Sequence, residues 1–191
     1  MLVQPLPAGT VTVVLVEGDS DREALAILAR RSGLDLAARS VELVAMGGAT
    51  NVGHHVRRFG PAGTGLRVFG LCDAGEVGYF ATAFERAGLP ADPDASTPAG
   101  GFHVCRRDLE DELIRAIGIE GVLAFVADRG ELPALRILQR QPAQRNRPVE
   151  HHLHRFIGTR AGRKRDYGAG LAGAVPLDRV PAPLTALLAR L

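Results

Sequence analysis

Seven acidic residues fall where an α/β chain places its chemistry. The apolar run Val11 to Val16 (VTVVLV) ends in Glu17, and Asp21 follows four residues on. Another apolar run, Leu66 to Cys72, ends in Asp73, with Glu76 close behind, and Glu110, Asp111 and Glu112 lie past a further run, Phe102 to Cys105. Parallel α/β sheets bind ligands outside the carboxyl ends of their strands, so acids leaving several strands converge on one rim. Carboxylates gathered there repel one another, and divalent cations relieve the repulsion. Oxygen-only donors suit Mg²⁺ or Mn²⁺ rather than zinc. The rival reading is helix capping, because Asp19, Asp73 and Asp108 all stand where caps belong. For Asp19 and Asp108 capping is the better account. Glu17 is a poor cap and Asp73 directly follows a buried strand, so these two read as ligands.

The elements that must position these acids are legible in the apolar pattern. Val11 to Val16 is continuous and β-branched, as in a parallel strand buried on both faces. The segment EGDSDREALAILARRSG then predicts a helix capped by Asp19 or Ser20 and stopped at Gly33. The unit recurs: strand Val41 to Ala45, turn Gly47 to Asn51, helix Val52 to Phe59, strand Leu66 to Cys72, helix Val77 to Ala87. Such alternation implies a parallel sheet with right-handed crossovers. Gly88 to Gly101 reads as a surface loop. Phe102 to Cys105 predicts one more strand, Leu109 to Ile117 a helix running on with breaks through Arg140, and Pro181 to Leu191 a terminal helix docked on the core.

The 191 residues suit one domain, read as an α/β part over 1–130 and a helical, basic extension over 131–191 packed on it. No apolar run approaches a membrane span, and the N-terminal residues lack the pattern of a secretory signal, so the expectation is a cytoplasmic protein without membrane partners. Cys72 and Cys105 sit in apolar strand-like runs, where a reduced thiol packs as a small hydrophobe.

The net charge of +2 conceals an uneven distribution. Arg136 to Arg165 carries nine Lys or Arg against one acid, Glu150, whereas the remainder holds 14 bases and 20 acids, a net of −6. That asymmetry fits a polyanion-binding surface beside an acidic site, with a solvated helix face as the alternative. Arg outnumbers Lys 22 to 1, which reads as compositional bias and singles out Lys164. His151, His152 and His154 lack the spacing of a zinc site on a helix and read as phosphate contacts or plain surface; His54 and His55 read as surface. Gly47 and Gly48 could bring backbone N–H groups to a phosphate, although turn geometry explains them equally well.

In order and spacing, VLVEGDSD (Val14 to Asp21) and LCDAGE (Leu71 to Glu76) resemble a TOPRIM domain, the metal-binding module of topoisomerases, primases and OLD-type nucleases. VAMGGATN (Val44 to Asn51), DLEDEL (Asp108 to Leu113) and GRKRDYGAGLA (Gly162 to Ala172) are most similar to the OLD (overcoming lysogenization defect) branch, so the resemblance runs over nearly the whole chain. It implies a Rossmann-like parallel sheet of about four strands flanked by helices, with a helical C-terminal extension. It implies Glu17, Asp21 and Asp73 as metal ligands and catalytic groups, Glu110 at a second metal with Glu76 and Glu112 as further acids, and Lys164 facing the scissile phosphate. Arg155, Arg160, Arg163, Lys164 and Arg165, with Gly47 and Gly48, would contact nucleic acid. The implied activity is Mg²⁺- or Mn²⁺-dependent phosphodiester hydrolysis on DNA. The alternatives are another TOPRIM phosphoryl transfer, on RNA or to nucleotides, and a DNA-binding module without turnover.

Two features depart from the family pattern. The hallmark Asp-x-Asp is Asp73-Ala74-Gly75, so either Glu76 compensates one residue late or a metal site is weaker. OLD nucleases carry an ATPase, yet G-x-x-x-x-G-K-[ST] does not occur here, so a required ATPase would be a separate polypeptide. A homodimer is left open.

Overall fold

The structure, a computed structural model, describes residues 5–159 and 162–191. Strands β1 (Thr12–Val16), β2 (Val41–Ala45), β3 (Arg67–Asp73), β4 (Ser96–Thr97) and β5 (Gly100–Cys105) form one sheet in the order β2-β1-β3-β5-β4. All pairings are parallel except β4 with β5. Nine helices are present among the described residues. The first three, α1 (Asp19–Arg31), α2 (Val52–Phe59) and α3 (Val77–Arg86), are the crossovers. Then come α4 (Leu109–Ile117), α5 (Ile119–Asp128), α6 (Leu132–Arg140), α7 (Val149–Gly158), α8 (Arg163–Ala174) and α9 (Ala182–Leu188).

The β-branched strands are buried on both faces, and their period of two sorts the core into two layers. Val14, Val16, Phe69 and Leu71 point to the side covered by α1 and by helices α4 to α9. Val13, Leu15, Val68 and Phe102 point to the other, against Val52, Val56 and Phe59 of α2 and Phe80 and Phe84 of α3. Gly70 permits the second packing: a Cβ there would stand 2.7 Å from Cε1 of Phe80, closer than side-chain atoms approach. Cys72 and Cys105 are reduced and buried, as expected, and burial pushes the Cys72 thiol up to about 12.

Two local expectations are corrected and a third is made specific. Among the described residues the sheet has five strands, because β4 makes a short antiparallel hairpin with β5 inside the segment expected to be loop, and β5 starts at Gly100 rather than Phe102. Asp19 does not cap α1: the cap is Gly18, whose N–H donates to Asp21 Oδ2 at 2.9 Å, while Asp19 pairs with Arg22 at 2.8 Å. The helical region after Ile117 runs to Arg140 with breaks, as expected, and they fall where Gly118 and Gly130 take left-handed φ of 82° and 69°, a conformation that costs glycine little.

The C-terminal helices share the first core layer. Helix α8 lies along α1, and Arg31 Nη1 donates to the carbonyls of Ala172 and Val175 at 2.7 Å each, satisfying carbonyls that α8 leaves unpaired at its end. No helix among the described residues is long and apolar enough to cross a membrane.

Candidate metal centre

The carboxyl ends of β1 and β3 deliver the first acids to the rim. Glu17 leaves β1 and is held from behind by the glycine turn after β2, where the Gly48 N–H donates to the Glu17 carbonyl at 3.1 Å. Gly47 and Gly48 have φ of 71° and 120°, so the turn needs glycine. The Gly48 N–H is thereby committed to protein, which removes it from the expected phosphate cradle.

Asp73 ends β3, and the chain turns at once into a short helical segment over 74–76. That turn carries Glu76 back towards the strand end. Carboxylate oxygens of Glu17, Asp73 and Glu76 all lie within 4.8 Å of one another. Glu76 thus stands in the cluster from which the second acid of Asp-x-Asp is absent. Its Oε2 is buried with no hydrogen-bond partner, an open donor that a hard cation satisfies.

Asp21, Glu110 and Lys164 form the adjoining wall. Lys164, on the first turn of α8, places Nζ 3.5 Å from Glu110 Oε2. Glu110 is 3% exposed and its other oxygen, Oε1, is buried without a partner. Asp21 divides its work, capping α1 through Gly18 while also sensing the charges of Lys164 and Glu17.

The electrostatics record crowding. Burial, then the charges of Asp108, Asp21, Glu76 and Glu17, push the Asp73 carboxyl up to about 8. Glu110 rises to about 7, chiefly by burial and against the help of Lys164. Burial also raises Asp21 and Glu76. Partial desolvation opposes the Lys164 ammonium, but Glu110, Asp21, Glu17 and Asp73 outweigh it and hold its pKa above the ordinary value. Surplus negative charge, buried oxygens without donors and an all-oxygen donor set fit a divalent cation.

Other predicted site residues are placed differently. Glu112 faces away: Oε1 accepts the Arg106 N–H and pairs with Arg115, both at 2.7 Å. Arg163 is turned inward, pairing with Glu131 at 3.2 Å, donating to the Phe156 carbonyl at 3.2 Å and lying over the Phe156 ring. This burial withdraws it from any nucleic-acid surface, because the charge is already compensated inside the fold. Arg155 and Arg165 are exposed, but Arg165 pairs with Glu23 at 2.6 Å. Arg160 lies outside the described residues. Asp108 was read as a cap and is one, accepting the Asp111 N–H at 2.8 Å. Sequence reasoning missed that it is also the charged group that most raises Asp73, and that His154 Nε2 reaches its Oδ2 at 2.5 Å. The spacing of DLEDEL after a strand end was the available signal.

A model of the overcoming lysogenization defect protein-like TOPRIM domain matches residues 11–74, the span from β1 to just past Asp73. Among solved structures, one of the C-terminal region of the Xanthomonas campestris pv. campestris OLD protein is 26% identical, with a TM-score of 0.73 over 95% of this chain and 91% of that one. The C-terminal region of the Burkholderia pseudomallei OLD protein is 19% identical, with a TM-score of 0.71 over 95% of this chain and 97% of that one. Among curated proteins there is no match. Residues 11–74 therefore match an OLD-like TOPRIM domain, and nearly the whole chain shares the fold of OLD C-terminal regions.

Proposed function

We propose that this chain hydrolyses phosphodiester bonds of DNA with Mg²⁺ or Mn²⁺ held at the rim. The observation that carries the reading is the meeting of Glu17, Asp73 and Glu76 within 4.8 Å, beside an ammonium, Lys164, in a wall of partnerless buried oxygens. A cation held by these three carboxylates would supply Lewis acidity and an activated water. The protein's own part is positional and electrostatic. The Glu17 carbonyl and the 74–76 turn fix the donor oxygens before a cation arrives, so little reorganisation is needed. Lys164 offers a compact positive charge at the mouth, suited to the non-bridging oxygens of a phosphate whose charge grows in the transition state. Glu110 holds that ammonium in place.

Nicking of supercoiled plasmid tests the reading. Wild-type protein with Mg²⁺ or Mn²⁺ is expected to convert supercoiled to open-circular DNA, and EDTA or Glu17→Gln to stop it. Absence of nicking with both cations and with an added OLD-type ATPase counts against hydrolysis; cleavage of RNA alone moves the substrate and keeps the chemistry.

A further inference from the structure

The rim has a second flank, opposite in sign to the acids. Arg107 follows β5, and its carbonyl accepts the Ala74 N–H at 3.3 Å, tying it to the turn that carries Asp73 and Glu76. The next residue, Asp108, holds His154 of α7. One turn earlier on α7 is His151, and the exposed Arg147 stands in the turn leading into that helix. That turn is fastened to α7, because His152 Nε2 lies 2.8 Å from the Gln144 carbonyl and the Arg147 N–H donates to the same carbonyl at 2.9 Å. Desolvation, then the charges of Arg147 and Arg107, hold the His151 imidazole below its ordinary pKa, which places both guanidiniums near it.

We propose that Arg107, Arg147, His151 and His154 form a phosphate-contact surface that seats the backbone of a DNA duplex beside the metal centre. The inference rests on the reading of the rim as acting on DNA and assigns the flank along which the substrate runs. The reason is availability of charge. In the basic segment, Arg163 is buried against Glu131 and withdrawn from a ligand, and the exposed Arg165 already has a carboxylate partner in Glu23. Arg147 has no ion pair among the described residues, and Arg107 meets only Asp108, at 3.9 Å, with half of its side chain exposed. Asp108 and Glu150 are the acids on this flank; the first is already engaged by His154 and by its cap. A row of exposed guanidiniums with imidazoles between them matches a phosphodiester backbone, and each phosphate neutralised releases condensed counterions.

The test is binding of a labelled DNA duplex in EDTA, read by fluorescence anisotropy over a salt series. The double variant Arg107→Glu, Arg147→Glu is expected to weaken binding on the order of tenfold or more and to flatten the slope of log K against log salt by about 2. A control with the same charge change elsewhere, Arg30→Glu with Arg39→Glu on the α1 side, is expected to leave the slope within experimental error. Equal loss in both doubles, or an unchanged slope in the first, overturns the assignment. Circular dichroism and Mn²⁺ titration establish that both variants fold and keep the rim. Because binding is read without metal, a protein that binds through this flank but never cleaves sinks the hydrolysis proposal alone. One that nicks plasmid with unaltered KM in the Arg107, Arg147 variant sinks the flank alone.

Discussion

The first two residues of α8, Arg163 and Lys164, meet carboxylates that are treated oppositely. Glu131 is closed: it receives Arg163 at 3.2 Å and the Tyr167 hydroxyl at 2.6 Å, and its negative charge is answered within the protein. The rim acids are open. Glu17, Asp73 and Glu76 face one another, and Glu76 and Glu110 keep buried oxygens with no donor. The same contrast recurs within one helix, where Glu112 of α4 is satisfied by Arg106 and Arg115 while Glu110, two residues earlier, is pushed up to about 7. Clustering of acids is therefore a weak guide to function, and unanswered charge is a stronger one.

The contrast can be broken most severely at Asp73. Asp73→Asn is expected to lower metal-dependent cleavage by about three orders of magnitude, or ~4 kcal/mol of barrier, while raising Tm of the metal-free protein. A variant that both cleaves normally and melts earlier would make Asp73 structural. At the closed site the sign reverses. Glu131→Ala leaves the Arg163 guanidinium buried without its carboxylate, and urea unfolding should report a loss of about 3 kcal/mol with Mn²⁺ affinity retained.

Metal and pH sharpen the comparison next. A carboxyl whose pKa is raised on folding contributes stability below its unfolded value and loses it as pH climbs through the folded value. For Asp73 that window runs from 3.8 to about 8, and for Glu110 from 4.5 to about 7. The metal-free protein should therefore lose Tm between roughly pH 4 and pH 8 through these two groups. Mn²⁺ at about 100 times its Kd should return ~2.7 kcal/mol at pH 8 and less at pH 5, where protons compete for the ligands. Differential scanning fluorimetry across pH, with and without Mn²⁺, checks both; a flat profile would show that the rim is not strained. The smallest effect separates neighbours on α4. In EDTA, Glu112→Gln should cost about 1 kcal/mol by weakening its bonds to Arg106 and Arg115, whereas Glu110→Gln should be neutral or stabilising at pH 8.

Much of this was legible from residue pattern. VTVVLV reads as a strand buried on both faces, which holds from Thr12 to Val16 although Val11 is exposed, and an acid directly after such a strand lies at the carboxyl rim, so Glu17 and Asp73 were placed there without coordinates. Glu76 could be named but not placed, because its return to the cluster depends on a turn of helix over 74–76 that neither periodicity nor a cap announces. Arg163 was misjudged for a different reason. Its partner, Glu131, is 32 residues away, and α8 is too rich in Gly and Ala to display an apolar stripe from which an inward face could be read. The hairpin β4 escaped notice because two residues held by backbone pairing leave no pattern of their own.

Gly75 has open space around it and an unstrained backbone, so a side chain can be added there without disturbing its neighbours. An acid at 75 could therefore coexist with the one at 76. A chain with acids at both positions would keep Glu76 in the cluster while gaining the spacing of Asp-x-Asp. The turn therefore tolerates a carboxylate at either spacing without change to its backbone.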